Sequence, residues 1–163
     1  PFLRQKSEPV EEVDDSIRKI MDDMLETMYD APGIGLAAIQ IGVPKRIIVL
    51  DISKDPEKKE PMYFVNPEKI YTSKDQATYE EGCLSVPGQF AEIDRPDKCH
   101  IKYLDYNGDS KELKAEGLLA TCIQHEMDHL EGILFIDYLS KLKKSMITKK
   151  LSKQKKELER IVV

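Results

Sequence analysis

The chain has 163 residues, 40% of them hydrophobic and 34% charged, with a net charge of -5. That is enough to bury a real core in one domain, and no apolar run is long enough to span a bilayer. Three cysteines, few and odd in number, fit free thiols or thiolate ligands in a reducing compartment better than a disulfide framework.

The opening Pro1-Phe2-Leu3-Arg4 carries no apolar signal-peptide core, so export is not expected. Asp14-Asp15-Ser16 offers helix N-caps, and Ile17, Ile20, Met21, Met24, Leu25 and Met28 follow at helical spacing. This predicts an amphipathic helix over 15–29, stopped by Pro32-Gly33. Residues 46–52 (RIIVLDI) are β-branched and read as a buried strand; 55–61 is a charged loop and 62–65 a second strand. Residues 99–106 alternate and run into Asn107-Gly108, a strong hairpin signal, with 110–115 as the return strand. A helix is expected over 117–130, ending before Gly132, and a last one over about 138–160. Strands joined by hairpins lie between terminal helices, without repeat or linker. The expected class is therefore α+β rather than doubly wound: antiparallel strands packed around a central helix, with an N-terminal helix and a long C-terminal one, all in one domain over 1–163.

Charge is uneven. From 140 onward there are eight Lys and one Arg against two Glu, leaving a basic tail on an acidic body. Such a tail is either a solvated amphipathic helix or a contact for an anionic partner.

The chemistry concentrates in HEMDHLEG (125–132). His125 and His129 project from one helix face about 6 Å apart along the axis, the spacing of a helical metal site. Glu126, about 100° around, lies beside such a metal and suits a base acting on water. The alternative is a polar helix face that happens to carry two histidines. A catalytic site usually has three protein ligands and one open position. The long metallopeptidase pattern needs His at 135, where this chain has Phe135. Other such layouts take a Glu from a following helix, but Glu131 is too near, and Glu157 and Glu159 lie in the basic tail. His100 reads as a strand surface residue, and Cys99 has no flanking signal. Cys122 shares the helix face but sits about 7.5 Å from the midpoint of the two histidines, too far for a short side chain. Elimination leaves Cys83 in EEGCLSVPG (80–88), an irregular segment by its Gly82 and Pro87-Gly88, either as a thiolate ligand or as a plain buried cysteine. The series Gly33-x-Gly35-x-x-Ala38 mimics a dinucleotide fingerprint, but a helix precedes it and Gly42-Val43-Pro44 follows too soon. Its glycines instead let the backbone approach a ligand.

Taken together, GIGLAAIQIG (33–42), EGCLS (81–85) and QHEMDHLEG (124–132) resemble the three signature segments of peptide deformylases, in order, and LRQKSEPV resembles that family's opening. The resemblance spans essentially the whole chain. It implies a metal held by Cys83, His125 and His129, with a fourth position open to water. It also implies hydrolysis of the N-formyl group from the formyl-methionine of newly made proteins, with release of formate. Glu126 would take the proton of the attacking water and pass it to the leaving amine, while the Gln40 side chain and the Leu84 backbone N–H face the formyl oxygen. Ile34, Tyr79, Leu118, Thr121 and Cys122 would line a methionine pocket, and the Gly35 backbone would pair with the peptide as a strand does. Phe90 aligns where some members carry an arginine near the peptide.

One thiolate and two imidazoles suit Fe²⁺, Zn²⁺, Ni²⁺ or Co²⁺; the family points to Fe²⁺ in function, with zinc often found on purification. The implied setting is a monomer in the bacterial cytosol, or an organelle, acting on formyl-methionyl nascent peptides without a membrane. The basic tail is then a candidate contact for ribosomal RNA. Two rival readings are a peptidase of another layout, opposed by EGCLS, and a binding protein with a structural metal, opposed by the lack of a fourth ligand.

Overall fold

The computed structural model describes residues 2–31, 33–53, 57–83 and 86–138. The helix expected over about 138–160 and its Lys-rich face lie outside the described residues beyond Tyr138.

The first helix, α1 (Asp15–Asp30), starts where Asp14 Oδ1 accepts the Ile17 N–H at 3.1 Å. Its stripe of Ile17, Met21, Met24 and Met28 is buried. Among the described residues seven strands follow: β1 (Gly35–Ala37), β2 (Ile47–Leu50), β3 (Met62–Thr72), β4 (Gln76–Cys83), β5 (Val86–Pro96), β6 (Lys98–Leu104) and β7 (Ser110–Glu116). The second helix, α2 (Gly117–Leu130), follows β7 directly. Strands β1-β2-β3-β6-β7 form one antiparallel sheet in that order, and β4-β5 form a separate two-stranded ribbon. The α+β class and the helix-centred antiparallel arrangement are as the sequence predicts.

The sheet separates two apolar layers, which explains β2. Alternate residues point to opposite faces. Ile47 and Val49 join the α1 methionines, Leu36 and Val65, whereas Ile48 and Leu50 join Phe64, Ile101, Ala120, Ile123 and Leu130. All four β2 side chains are buried, each stabilising by about 1.5–3 kcal/mol. A strand covered on both faces reads as a continuous apolar run, not an alternation.

Two segments depart from expectation. The strand expected over 62–65 continues to Thr72, past Asn66 (φ 50°) and Pro67, with register shifts between Val65 and Glu68 and between Lys69 and Tyr71. Asn66 is held there by its own side chain, whose amide accepts from Val10 N–H and donates to Val10 O, both at 2.7 Å. The segment 80–88, expected to be irregular, lies instead largely in β4 and β5, with a register shift between Gly82 and Cys83. The 107–108 hairpin is present, and Asp105 Oδ1 accepts the N–H groups of Asn107 and Asp109 at 2.9 Å.

Helix α2 is the centre of the molecule: every residue from Ala120 to Leu130 is buried. It ends in a Schellman arrangement, with Gly132 N–H bonded to His129 O and Ile133 N–H to Asp128 O. Gly132 has φ 76°, and a Cβ there would lie 2.2 Å from the Arg4 carbonyl oxygen. Only glycine fits that junction.

Candidate active site

The buried middle of α2 presents His125 and His129 toward Cys83, at the tip of β4. The donor atoms of these three side chains lie within 4.8 Å of one another, and Cys83 Sγ is 3.3 Å from His129 Nε2. Gln40, in a 3₁₀ turn over Ala38–Ile41, anchors its Oε1 on the Ala37 N–H and directs Nε2 to Cys83 Sγ at 3.4 Å. Glu126 Oε1 is 4.0 Å from His125 Nε2. Cys122 is buried beside the site but stands outside the donor cluster. Cys99 lies in the core, and His100 pairs with Glu112 on the sheet surface. Leu84 lies outside the described residues.

The electrostatics fit a cation. Burial works against a charge on His125, but the Cys83 and Glu81 hydrogen bonds and the nearby Glu126 raise its pKa to about 10. The anionic surroundings that favour a proton there also favour a metal ion at Nε2, because Nδ1 is committed to Glu81 Oε1 at 2.8 Å. Burial, with His125 and Arg95 nearby, lowers His129 to about 3 and keeps it the neutral imidazole a metal requires. Burial raises Glu126 to about 7, a value suited to exchanging protons near neutral pH. Its Oε2 is buried without a hydrogen-bond partner among the described residues, so the site holds an acceptor still to be satisfied. Burial likewise raises the Cys122 thiol to about 12, which leaves it neutral.

Behind His125 lies a network that the sequence did not disclose. Glu81 accepts from Arg95 Nε at 2.7 Å and Nη2 at 2.9 Å, and Arg95 Nη1 donates to Asp128 Oδ2 at 2.7 Å. Asp128 also accepts the Tyr138 hydroxyl at 2.6 Å. Burial opposes the Glu81 charge, but the bonds from His125 and Arg95 keep its pKa below the usual carboxylate range. Glu81 stood inside EGCLS, yet nothing local tied it to His125; Arg95 had no local signal at all.

A cavity of about 530 Å³ opens onto the site. Ile34, Gly35, Tyr79, Leu118, Thr121 and Cys122, the residues expected to bind substrate, all line it. Gly33 and the run from Tyr79 to Cys83 line it as well. Phe90, 63% exposed, stands at the rim. Asp51 N–H bonds to Ile34 O at 2.9 Å, which makes Ile34 and Asp51 a hydrogen-bonded pair. Bonded and non-bonded pairs alternate in an antiparallel ladder, so the next pair, Gly35 with Leu50, is non-bonded. The N–H and C=O of Gly35 therefore point away from β2, toward the cavity side. A Cβ on Gly35 would meet Leu50 Cδ2 at 2.7 Å and Glu126 Oε1 at 3.0 Å; glycine is what lets this backbone lie over the carboxyl.

A Cys-His-His cluster with an adjoining buried carboxyl and an apolar cleft defines a site of the mononuclear metallohydrolase class. The polypeptide deformylase family model matches residues 1–145. The chain is 72% identical to a peptide deformylase of Pelagibacter ubique, across 99% of this chain and 93% of that one. It is 62% identical to one from Phenylobacterium zucineum, across 96% and 92%. The crystal structure of the Ehrlichia chaffeensis peptide deformylase superposes with a TM-score of 0.91 at 44% identity, covering 96% of this chain and 92% of that one. A second structure of the Ehrlichia enzyme is a complex with actinonin. This chain belongs to the peptide deformylase family, metal-dependent enzymes that remove the formyl group from N-formyl-methionine peptides.

Proposed function

We propose that Cys83, His125 and His129 hold the catalytic metal and that Glu126 is the general base. The observation that carries this is the convergence of the three donor atoms within 4.8 Å, beside a buried carboxyl whose Oε2 lacks a partner among the described residues. A divalent metal bound there supplies Lewis acidity, bringing the pKa of a water toward neutrality and polarising the formyl carbonyl. Glu126 takes the proton of the attacking water and delivers it to the methionine nitrogen as the amide breaks. Gln40 Nε2 donates to the developing charge on the formyl oxygen, together with the backbone N–H of Leu84. The Gly35 backbone binds the peptide as an added strand. Ile34, Tyr79, Leu118, Thr121 and Cys122 enclose the methionine side chain, and Phe90 gives the rim an apolar surface where an arginine would give a charged one. Glu81 fixes the His125 ring and so orients its Nε2.

Ferrous iron is the working ion in this reading, since a thiolate with two imidazoles suits it. The enzyme acts as a cytosolic monomer, and its basic tail docks on ribosomal RNA near emerging chains. Among the described residues, no helix is long and apolar enough to cross a membrane. The test is formate release from formyl-Met-Ala-Ser, with acetyl-Met-Ala-Ser as control. Release from the formyl substrate should stop when the metal is chelated and return with Fe²⁺. Full activity after complete metal removal would overturn the assignment.

A further inference from the structure

One buried carboxylate takes no part in the chemistry described above, yet it stands at the root of a cavity wall. Asp51, 4% exposed, immediately follows β2. Among the described residues, four neutral donors converge on it: the Tyr29 hydroxyl at 2.5 Å, the Ser53 N–H at 2.9 Å and hydroxyl at 2.5 Å, and the Glu60 N–H at 3.1 Å. Tyr29 belongs to the last turn of α1, and Lys59 Nζ lies 4.3 Å from its ring centroid. The backbone N–H of Asp51 makes the bond to Ile34 O that sets which way Gly35 faces. This one residue thus ties together the end of α1, the loop before β3 and the start of β1. Between those ties run Ala31, Gly33 and Ile34, which line the cavity.

We propose that Asp51 is a positioning residue that holds the peptide-receiving edge of β1 in phase; this rests on the reading that the peptide pairs with Gly35. Strand β1 has only three residues, so its ladder to β2 is short. A slip of one residue would turn the Gly35 N–H and C=O back toward β2 and present the wrong groups to the cavity. Apolar packing alone would not call for a charge here, because a buried carboxylate is costly unless fully hydrogen-bonded. Asp51 is bonded on both oxygens, and its donors come from the end of α1 and from the loop before β3.

The experiment compares two substrates on metal-loaded enzyme. Formyl-Met-Ala-Ser can pair with Gly35. N-formyl-3-(methylthio)propylamine keeps the formamide and the thioether but has no backbone carbonyl to pair. Asp51→Asn turns an amide donor toward the Glu60 N–H or the Ser53 donors, and so breaks the ring of bonds. It should lower kcat/KM for the peptide by at least about 10-fold, mainly through KM. For the propylamine the loss should stay under about 3-fold, with metal content unchanged. Tyr29→Phe removes one donor and should move the ratio the same way by less; it decides the matter if Asp51→Asn fails to fold. Equal losses on both substrates, or no loss on either, would reduce Asp51 to a general fold contact. If the wild-type enzyme itself gains nothing from the peptide backbone, the edge-pairing reading fails first.

Discussion

Replacing Glu81 by glutamine tests whether the buried network serves the proposed metal ligands. Three N–H groups end on this carboxylate: His125 Nδ1 and Arg95 Nη2 on Oε1, and Arg95 Nε on Oε2. Glutamine has the same shape but one acceptor oxygen, and its NH₂ then faces a donor. At least one buried donor is orphaned, at about 1–3 kcal/mol. Arg95, 4% exposed, also loses a partner charge and keeps only Asp128, which brings the expected loss of stability to about 3–5 kcal/mol. With the His125 ring no longer fixed, metal affinity should fall by about 10–100-fold. Stability is best measured by urea unfolding of the metal-free protein, so that bound metal does not mask the change. Affinity is read by competition with a chromophoric chelator. A stability loss below about 1 kcal/mol together with unchanged affinity would refute this account of the network.

Glu126→Gln should retain bound metal while turnover falls by at least about 100-fold; near-normal turnover would remove it as the base. Cys83→Ala should abolish tight metal binding and Cys122→Ala should keep stoichiometric metal, both read by elemental analysis. Protein loaded anaerobically with Fe²⁺ should outpace the zinc form and lose activity in air as the iron or Cys83 oxidises; equal rates and equal air stability would count against iron. A chain ending near 140 should co-sediment less with ribosomes than the full chain at low salt, with the difference vanishing at high salt. Equal sedimentation of the two would leave the tail a solvated helix.

What the sequence disclosed follows from where its signals are local. Helix α2 was readable because its histidines are four apart and its apolar residues keep helical spacing, and the β6–β7 hairpin because Asn107-Gly108 sits between alternating segments. The convergence of Cys83 on that helix emerged by elimination together with the resemblance carried by EGCLS. The β4–β5 ribbon was hidden because its inward face carries charge: Glu81 and Arg95 occupy buried positions that a hydrophobic pattern assigns to solvent. Val86-Pro87-Gly88 opens β5 with residues typical of a loop, and β3 runs on past 65 because a strand tolerates Pro67 beside an irregular residue such as Asn66. The Arg95–Glu81–His125 chain joins β5, β4 and α2, and no window of sequence contains all three.

The outward-facing Gly35 has a consequence for generality. In the proposed pairing, its N–H and C=O meet groups that every polypeptide carries in the same places, whatever its side chains. A catalyst that grips this common thread, and inspects only the first residue closely, can serve the whole output of a translation system with one gene product. On that reading the three-residue strand β1 is a universal adaptor. On the same reading, a strand of three residues confines the pairing to the first few residues of a client and leaves the rest of each new protein free to begin folding.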